Sequence, residues 1–223
     1  MNKKELIEEY ISKHPNLFSL FEKNYLINNC EHNYSNELIP DIIREVFDEL
    51  GILKDEENMF LGFRDLLDDV FSIKDKNIVE IGGGVIPRLA YRISDIQTTG
   101  SIKVYDPRLS EYEQSSDRLI LIKKTFNPWI DVSDADILIG LMPCEITEGI
   151  ILSAIKSNKD FMIGLSDATI YDDYSDYFPS TEEWIEGVIS YADRLLNEAG
   201  RGKLKIKYLD QYNNPYPVIY NKK

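Results

Sequence analysis

Three glycines and two acids carry the clearest chemical signal in this sequence. Gly82-Gly83-Gly84 follows the apolar run Asn77-Ile78-Val79-Glu80-Ile81 and precedes Val85-Ile86-Pro87. Asp106 follows a second such run, Ser101-Ile102-Lys103-Val104-Tyr105. Glycines let a backbone take positive φ and approach a ligand closely. The helical pattern from Arg88 predicts a helix N-terminus there, with free N–H groups and the positive end of a dipole. An acid ending the next strand can accept hydrogen bonds from ribose hydroxyls. The combination predicts an adenosine-type cofactor site. The plainer alternatives are a structural strand-to-helix turn and a helix cap at Asp106. Glu80 is a charge in an apolar strand, where burial is costly unless it is paired. A role in the site and a salt bridge to Arg88 or Arg108 both answer that cost.

A second group lies further on. Asp134 to Leu141 reads as a strand running into Met142-Pro143-Cys144-Glu145. Glu145 is the acid–base candidate by position. Cys144 reads as a packed or partly exposed thiol, because both histidines, His14 and His32, are N-terminal and a Cys–His pair would need that region over the pocket. The stretch Ser166 to Phe178 is rich in Asp and Tyr. As the loop after a strand it falls at the ligand end of a parallel sheet. Asp167 and Tyr171 there can hold a cationic or amine-bearing substrate. A solvated loop whose tyrosines pack on the sheet is the competing reading. No His or Cys accompanies the acids at ligand spacing, so no metal site is expected.

The elements that must position these residues follow from periodicity. Residues 1–75 read as helices. Leu6, Ile7, Tyr10 and Ile11 keep helical spacing up to His14-Pro15, and Ile39 to Leu50 forms a strong apolar stripe ended by Gly51. Asn24 to Asn36 reads as a connection, and Glu56 to Phe71 as a last helix. From residue 76 strands and helices alternate. Strands are expected at 77–81, 101–105, 119–123, 137–141, 161–165, 204–209 and 218–220. Helices are expected at 87–94, within 109–118, at 148–157 and at 181–198. Strands separated by helices predict an α/β fold with a parallel sheet covered on both faces. Only Asp210 to Pro217 separates the last two strands, too short for a helical crossover, so they should form an antiparallel hairpin.

Composition narrows the function. The 223 residues suit one α/β domain with an extension, here 76–223 preceded by a helical region 1–75 that can lid the pocket. A net charge of −14 with no basic patch argues against nucleic acid as a partner. No apolar run is long enough to span a bilayer. Two distant cysteines and no secretory leader predict a cytoplasmic protein.

With Glu80-Ile81-Gly82-Gly83-Gly84, Asp106 and the terminal hairpin in place, residues 76–223 resemble the class I S-adenosylmethionine-dependent methyltransferases. That family has a doubly wound, mostly parallel seven-stranded sheet whose last strand is inserted antiparallel. The resemblance implies that Gly82, Gly83 and Gly84 pass under the methionine part of the cofactor. Glu80 would fix that loop or reach the amino group through water. Asp106 would bind the ribose, and Pro107 or Arg108 would flank the adenine. Asn127, after the third strand, stands where many members carry an acid at the adenine edge. Met142, past the fourth strand, would line the pocket between cofactor and substrate. Pro87 stands where a G-x-G-x-x-G motif has its third glycine. The implied activity is methyl transfer to a small molecule. Aminocarboxypropyl transfer from the same cofactor, a non-catalytic binding module and a nicotinamide oxidoreductase remain as alternatives. A final strand running parallel, with no hairpin, would favour the last.

Overall fold

The alternation after residue 76 builds one seven-stranded sheet. The computed structural model describes residues 3–13, 18–29, 46, 50, 54–84, 86–109, 113, 115–165, 180–209 and 216–223. The chain forms two compact units, Met1–Asn58 and Met59–Lys223. In the first, α1 (Lys3–Lys13) and α2 (Leu20–Asn29) are described. Ile7, Phe18, Leu26 and Val46 are its buried apolar residues among those described, with the Tyr10 and Phe18 rings 6.2 Å apart. Ser19 and Glu22 start α2 as a capping box: each backbone N–H donates to the other's side chain. The expected connection from Asn24 is thus helical as far as Asn29. The capped start and the buried Leu26 outweigh the helix-averse asparagines. The helix expected at 39–50 lies mostly outside the described residues.

A third helix, α3 (Lys54–Phe71), crosses the division between the units. Its Met59, Phe63, Leu66, Leu67 and Phe71 are buried in the second unit's core. That spacing is the apolar stripe of an amphipathic helix.

Seven strands are formed, matching the seven expected: β1 (Ile78–Ile81), β2 (Ile102–Tyr105), β3 (Leu119–Ile122), β4 (Ile137–Leu141), β5 (Asp160–Gly164), β6 (Lys205–Leu209) and β7 (Tyr216–Asn221). Their order is β3-β2-β1-β4-β5-β7-β6. The first five are parallel, and β7 enters antiparallel between β5 and β6. Between them run α4 (Arg88–Ser94), α5 (Thr147–Lys156) and α6 (Thr181–Glu198). No helix is found among the described residues of 109–118, although one was expected there. There the hydroxyls of Ser115 and Ser116 accept from the start of β3, from the Leu121 N–H and the Leu119 N–H respectively.

Side-chain alternation sorts the core into two layers. Ile78, Ile102, Val104, Ile137, Ile139, Met162, Val218 and Tyr220 face α3 and α4. Val79, Ile81, Leu138, Phe161, Ile163 and Ile219 face α5 and α6. Strands buried on both faces are continuous apolar runs, as parallel strands require. Of the two edge strands, β6 is guarded by exposed Lys205 and Lys207, charges that discourage pairing with another chain. Among the described residues no helix is long and apolar enough to cross a membrane.

The sheet closes at one tight crossing. A Cβ added to Gly100 would lie 2.1 Å from the Lys76 carbonyl oxygen, a backbone atom that cannot yield. Gly100→Ala should therefore cost about 2 kcal/mol or more in urea unfolding. Gly149→Ala meets the flexible Cδ1 tip of Ile146 at 2.7 Å, with Ile146 Cγ1 and Pro128 Cγ at 3.4 Å, and should stay within about 1 kcal/mol of the wild type.

Candidate active site

β1 has β2 on one side and β4 on the other, so chain direction across the sheet reverses at β1 and β4. Ligands of open α/β sheets bind outside the strand carboxyl ends at such a switch point. The glycine run leaves β1 at this place. Gly82 and Gly84 have φ of +80° and +81°, where a side chain would be strained. Gly83 turns back over β2, so that a Cβ on it would stand 2.5 Å from Val104 Cγ1. All three glycines are thus required by the turn itself. The Gly82 N–H donates to the Tyr105 carbonyl at 2.9 Å, tying the turn to β2.

Asp106 completes the tie. Its Oδ2 accepts from the Gly84 N–H at 2.9 Å and from Arg108 Nη2 at 3.0 Å. Its Oδ1 accepts from the Arg108 N–H at 2.7 Å and from Arg108 Nε at 3.2 Å. The side chain is 2% exposed. Burial pushes this carboxyl up, but the Arg108 and Gly84 donors and the Arg108 charge outweigh it and hold it below the usual carboxylate range. Pro107 is exposed on the turn that carries Arg108.

Glu80 lies on the same sheet face, one strand away from Val104 in register. It is 2% exposed, and burial raises its carboxyl to about 8, with the Asp106 charge adding to the rise. The Ala90 amide, in the first turn of α4, donates to it and pulls the other way. Its Oε2 has no hydrogen-bond partner among the described residues. The carboxyl lies directly under Gly83, whose added Cβ would be 3.5 Å from Oε1. α4 has seven residues, and its first N–H, on Arg88, already donates to Ile86. The helix start therefore serves the turn and Glu80.

The opposite wall is Met142-Pro143. Met142 has φ of +53°, unusual outside glycine, and its N–H donates to the Gly164 carbonyl at 2.9 Å. Pro143 packs on the glycine turn: a Cβ on Gly82 would be 3.2 Å from its Cα. Backbone held in such a region is often found beside ligands. Glu145 follows on a 3₁₀ turn, Cys144–Ile146, and is exposed. Asn127 lies after β3, its Oδ1 accepting from the Trp129 N–H at 3.0 Å. Asp167 and Tyr171 fall outside the described residues, as do His14 and His32. No cluster of metal-ligating residues is present among the described ones.

Two side chains near these elements were not picked out by sequence. Glu148, in the first turn of α5, is half-buried, and burial raises its carboxyl. Its charge acts on Tyr191 of α6. An acid one turn into an otherwise apolar helix was the available signal. Trp129 is 78% exposed, with Lys156 Nζ 3.5 Å from its ring centre. A Trp after Pro128 gives no such hint.

No family model matches the chain, and no curated protein matches its sequence. Solved structures do match. One is a hemolysin candidate from Lactococcus lactis, 12% identical, with a TM-score of 0.52, covering 74% of this chain and 86% of that one. Another is a candidate O-methyltransferase from Nostoc punctiforme, 10% identical, with a TM-score of 0.50, covering 82% of this chain and 62% of that one. The chain has the fold of the class I S-adenosylmethionine-dependent methyltransferases. The antiparallel β7 that belongs to this methyltransferase fold is the strand that counted against a nicotinamide domain.

The state of Glu80 can be read from stability. Its folded pKa is raised, so the contribution is fully present below the unfolded carboxyl's titration and is lost as pH rises toward about 8. Between about pH 5 and 8 the wild type should lose stability relative to Glu80→Gln by up to about 1.4 kcal/mol per pH unit in urea titrations. Parallel pH curves for the two proteins would rule out a neutral Glu80.

Proposed function

We propose that the chain is an S-adenosylmethionine-dependent enzyme that transfers a methyl group to a small molecule. The observation that carries this reading is the hydrogen bond from the Gly84 amide to the buried Asp106 carboxylate. It makes the glycine turn and the strand-end acid one unit, at the switch point where this fold places a nucleoside ligand. The residues fit the group. Gly82 and Gly84 keep the turn's surface clear of side chains. Glu80, whose Oε2 has no partner among the described residues, would fix that loop from beneath Gly83 or reach an ammonium through water.

When bound, the cofactor supplies a methyl group on a sulfonium, activated for direct displacement. The protein's part is orientation and proton handling. Asp106 would fix the ribose through its hydroxyls. Pro107, Arg108 and Asn127 would border the adenine, and Gly83 and Met142 the methionine end. Glu145, exposed on the turn beyond β4, would take a proton from the acceptor. Asp167 and Tyr171 would meet an amine-bearing or cationic substrate. The setting would be cytoplasmic. Neither nucleic acid nor membrane is expected as a partner.

Calorimetry with S-adenosylhomocysteine tests the reading. The wild type should bind it, and Asp106→Asn, with its circular dichroism unchanged, should bind at least about tenfold more weakly, some 1.4 kcal/mol. Absence of binding by the folded wild type would sink the proposal. Binding without methyl transfer to a panel of oxygen, nitrogen and sulfur nucleophiles would favour a non-catalytic module.

A further inference from the structure

We infer that the Arg108 side chain is an internal competitor for the ribose hydroxyls, and that its displacement from Asp106 sets the affinity of the crevice. The inference rests on the cofactor reading above. A carboxylate offers about four acceptor positions. At Asp106 all four are taken: Oδ1 by the Arg108 amide and Nε, Oδ2 by the Gly84 amide and Arg108 Nη2. A ribose diol cannot add to this set and must replace part of it.

The four donors differ in what holds them. The two amides belong to the exit of β2 and to the glycine turn, and moving either would break the turn. The guanidinium sits on a long side chain that is 53% exposed, while the acid beneath is 2% exposed. The guanidinium is the one donor of the four that can swing away while the turn stays intact. It also takes one position on each carboxylate oxygen, the bidentate pattern of a fork on a fork. Two neighbouring hydroxyls can take up the same pattern, one per oxygen. The exchange therefore conserves hydrogen bonds, and what it costs is the charge-assisted character of the pair being given up. Without a ligand the same pair keeps a buried acid satisfied.

The test is a set of titrations on the folded proteins. Arg108→Ala should bind S-adenosylhomocysteine and adenosine about tenfold more tightly than the wild type, with Arg108→Lys between them, since an ammonium lacks the planar fork. 2′,3′-Dideoxyadenosine should show no gain. In the ligand-free protein, the Asp106 carboxyl followed by NMR should titrate higher in Arg108→Ala. Equal or weaker binding of diol ligands by Arg108→Ala would overturn the inference, as would an equal gain for the dideoxy compound. A diol-dependent gain for adenosine, with no binding of S-adenosylhomocysteine by either protein, would uphold the competitor and sink the cofactor reading. No binding of any of these ligands by folded Arg108→Ala would overturn both.

Discussion

The hydrogen bond between the Gly84 amide and the Asp106 carboxylate is the interaction on which the crevice depends. The turn after β1 needs positive φ at Gly82 and Gly84, and Gly83 lies too close to Val104 for any side chain. Such a loop has little apolar area of its own to hold it down. It is held instead by two amide bonds to the end of β2, from Gly82 to Tyr105 and from Gly84 to Asp106. The parallel register of β1 and β2, Glu80 opposite Val104 and Ile81 opposite Tyr105, delivers those acceptors to the right height. The large buried core on both sheet faces thus fixes the position of a few polar atoms to within hydrogen-bonding distance.

This explains what could be read from the sequence. Central strands buried on both faces are nearly continuous apolar runs, and β4 and β5 showed as such. The hairpin followed from a spacing too short for a helix. Gly82, Gly84 and Asp106 were legible because their backbone roles tolerate few alternatives. The helix expected within 109–118 falls partly on residues outside the described ones; of those described, Ser115 and Ser116 accept hydrogen bonds from the start of β3. Residues 24–29 misled, where burial of Leu26 carries asparagines into a helix. The engagement of Arg108 with Asp106, the neutral Glu80 and the left-handed Met142 left no sequence trace. Each depends on distances between elements far apart along the chain.

The acceptor side of the crevice was the least legible, for a physical reason. Gly82, Gly84 and Asp106 sit at strand ends or in the turn tied to them, where sheet register fixes them. Glu145 is instead exposed on a short 3₁₀ turn, and Glu148, one turn further, is half-buried and faces Tyr191 across the α5–α6 packing. Methyl transfer demands little chemistry of such residues beyond placing a nucleophile in line. A site that requires so little leaves a weak mark in any one side chain.

Two buried acids on one sheet face would ordinarily repel, and the structure separates their roles by what each is given. Asp106 receives two backbone donors and a guanidinium and stays ionised. Glu80 receives one amide, stands in the field of its neighbour and keeps its proton near neutrality. The inner layer of the crevice then carries one negative charge, already balanced by Arg108, and one neutral carboxyl. Removing Arg108 from that balance exposes a carboxylate to a ligand at the cost of the pair that kept it satisfied. An acid that must be buried to read a diol must also be satisfied in the diol's absence. A side chain able to leave, such as Arg108, meets both demands where a third fixed amide would meet only the second.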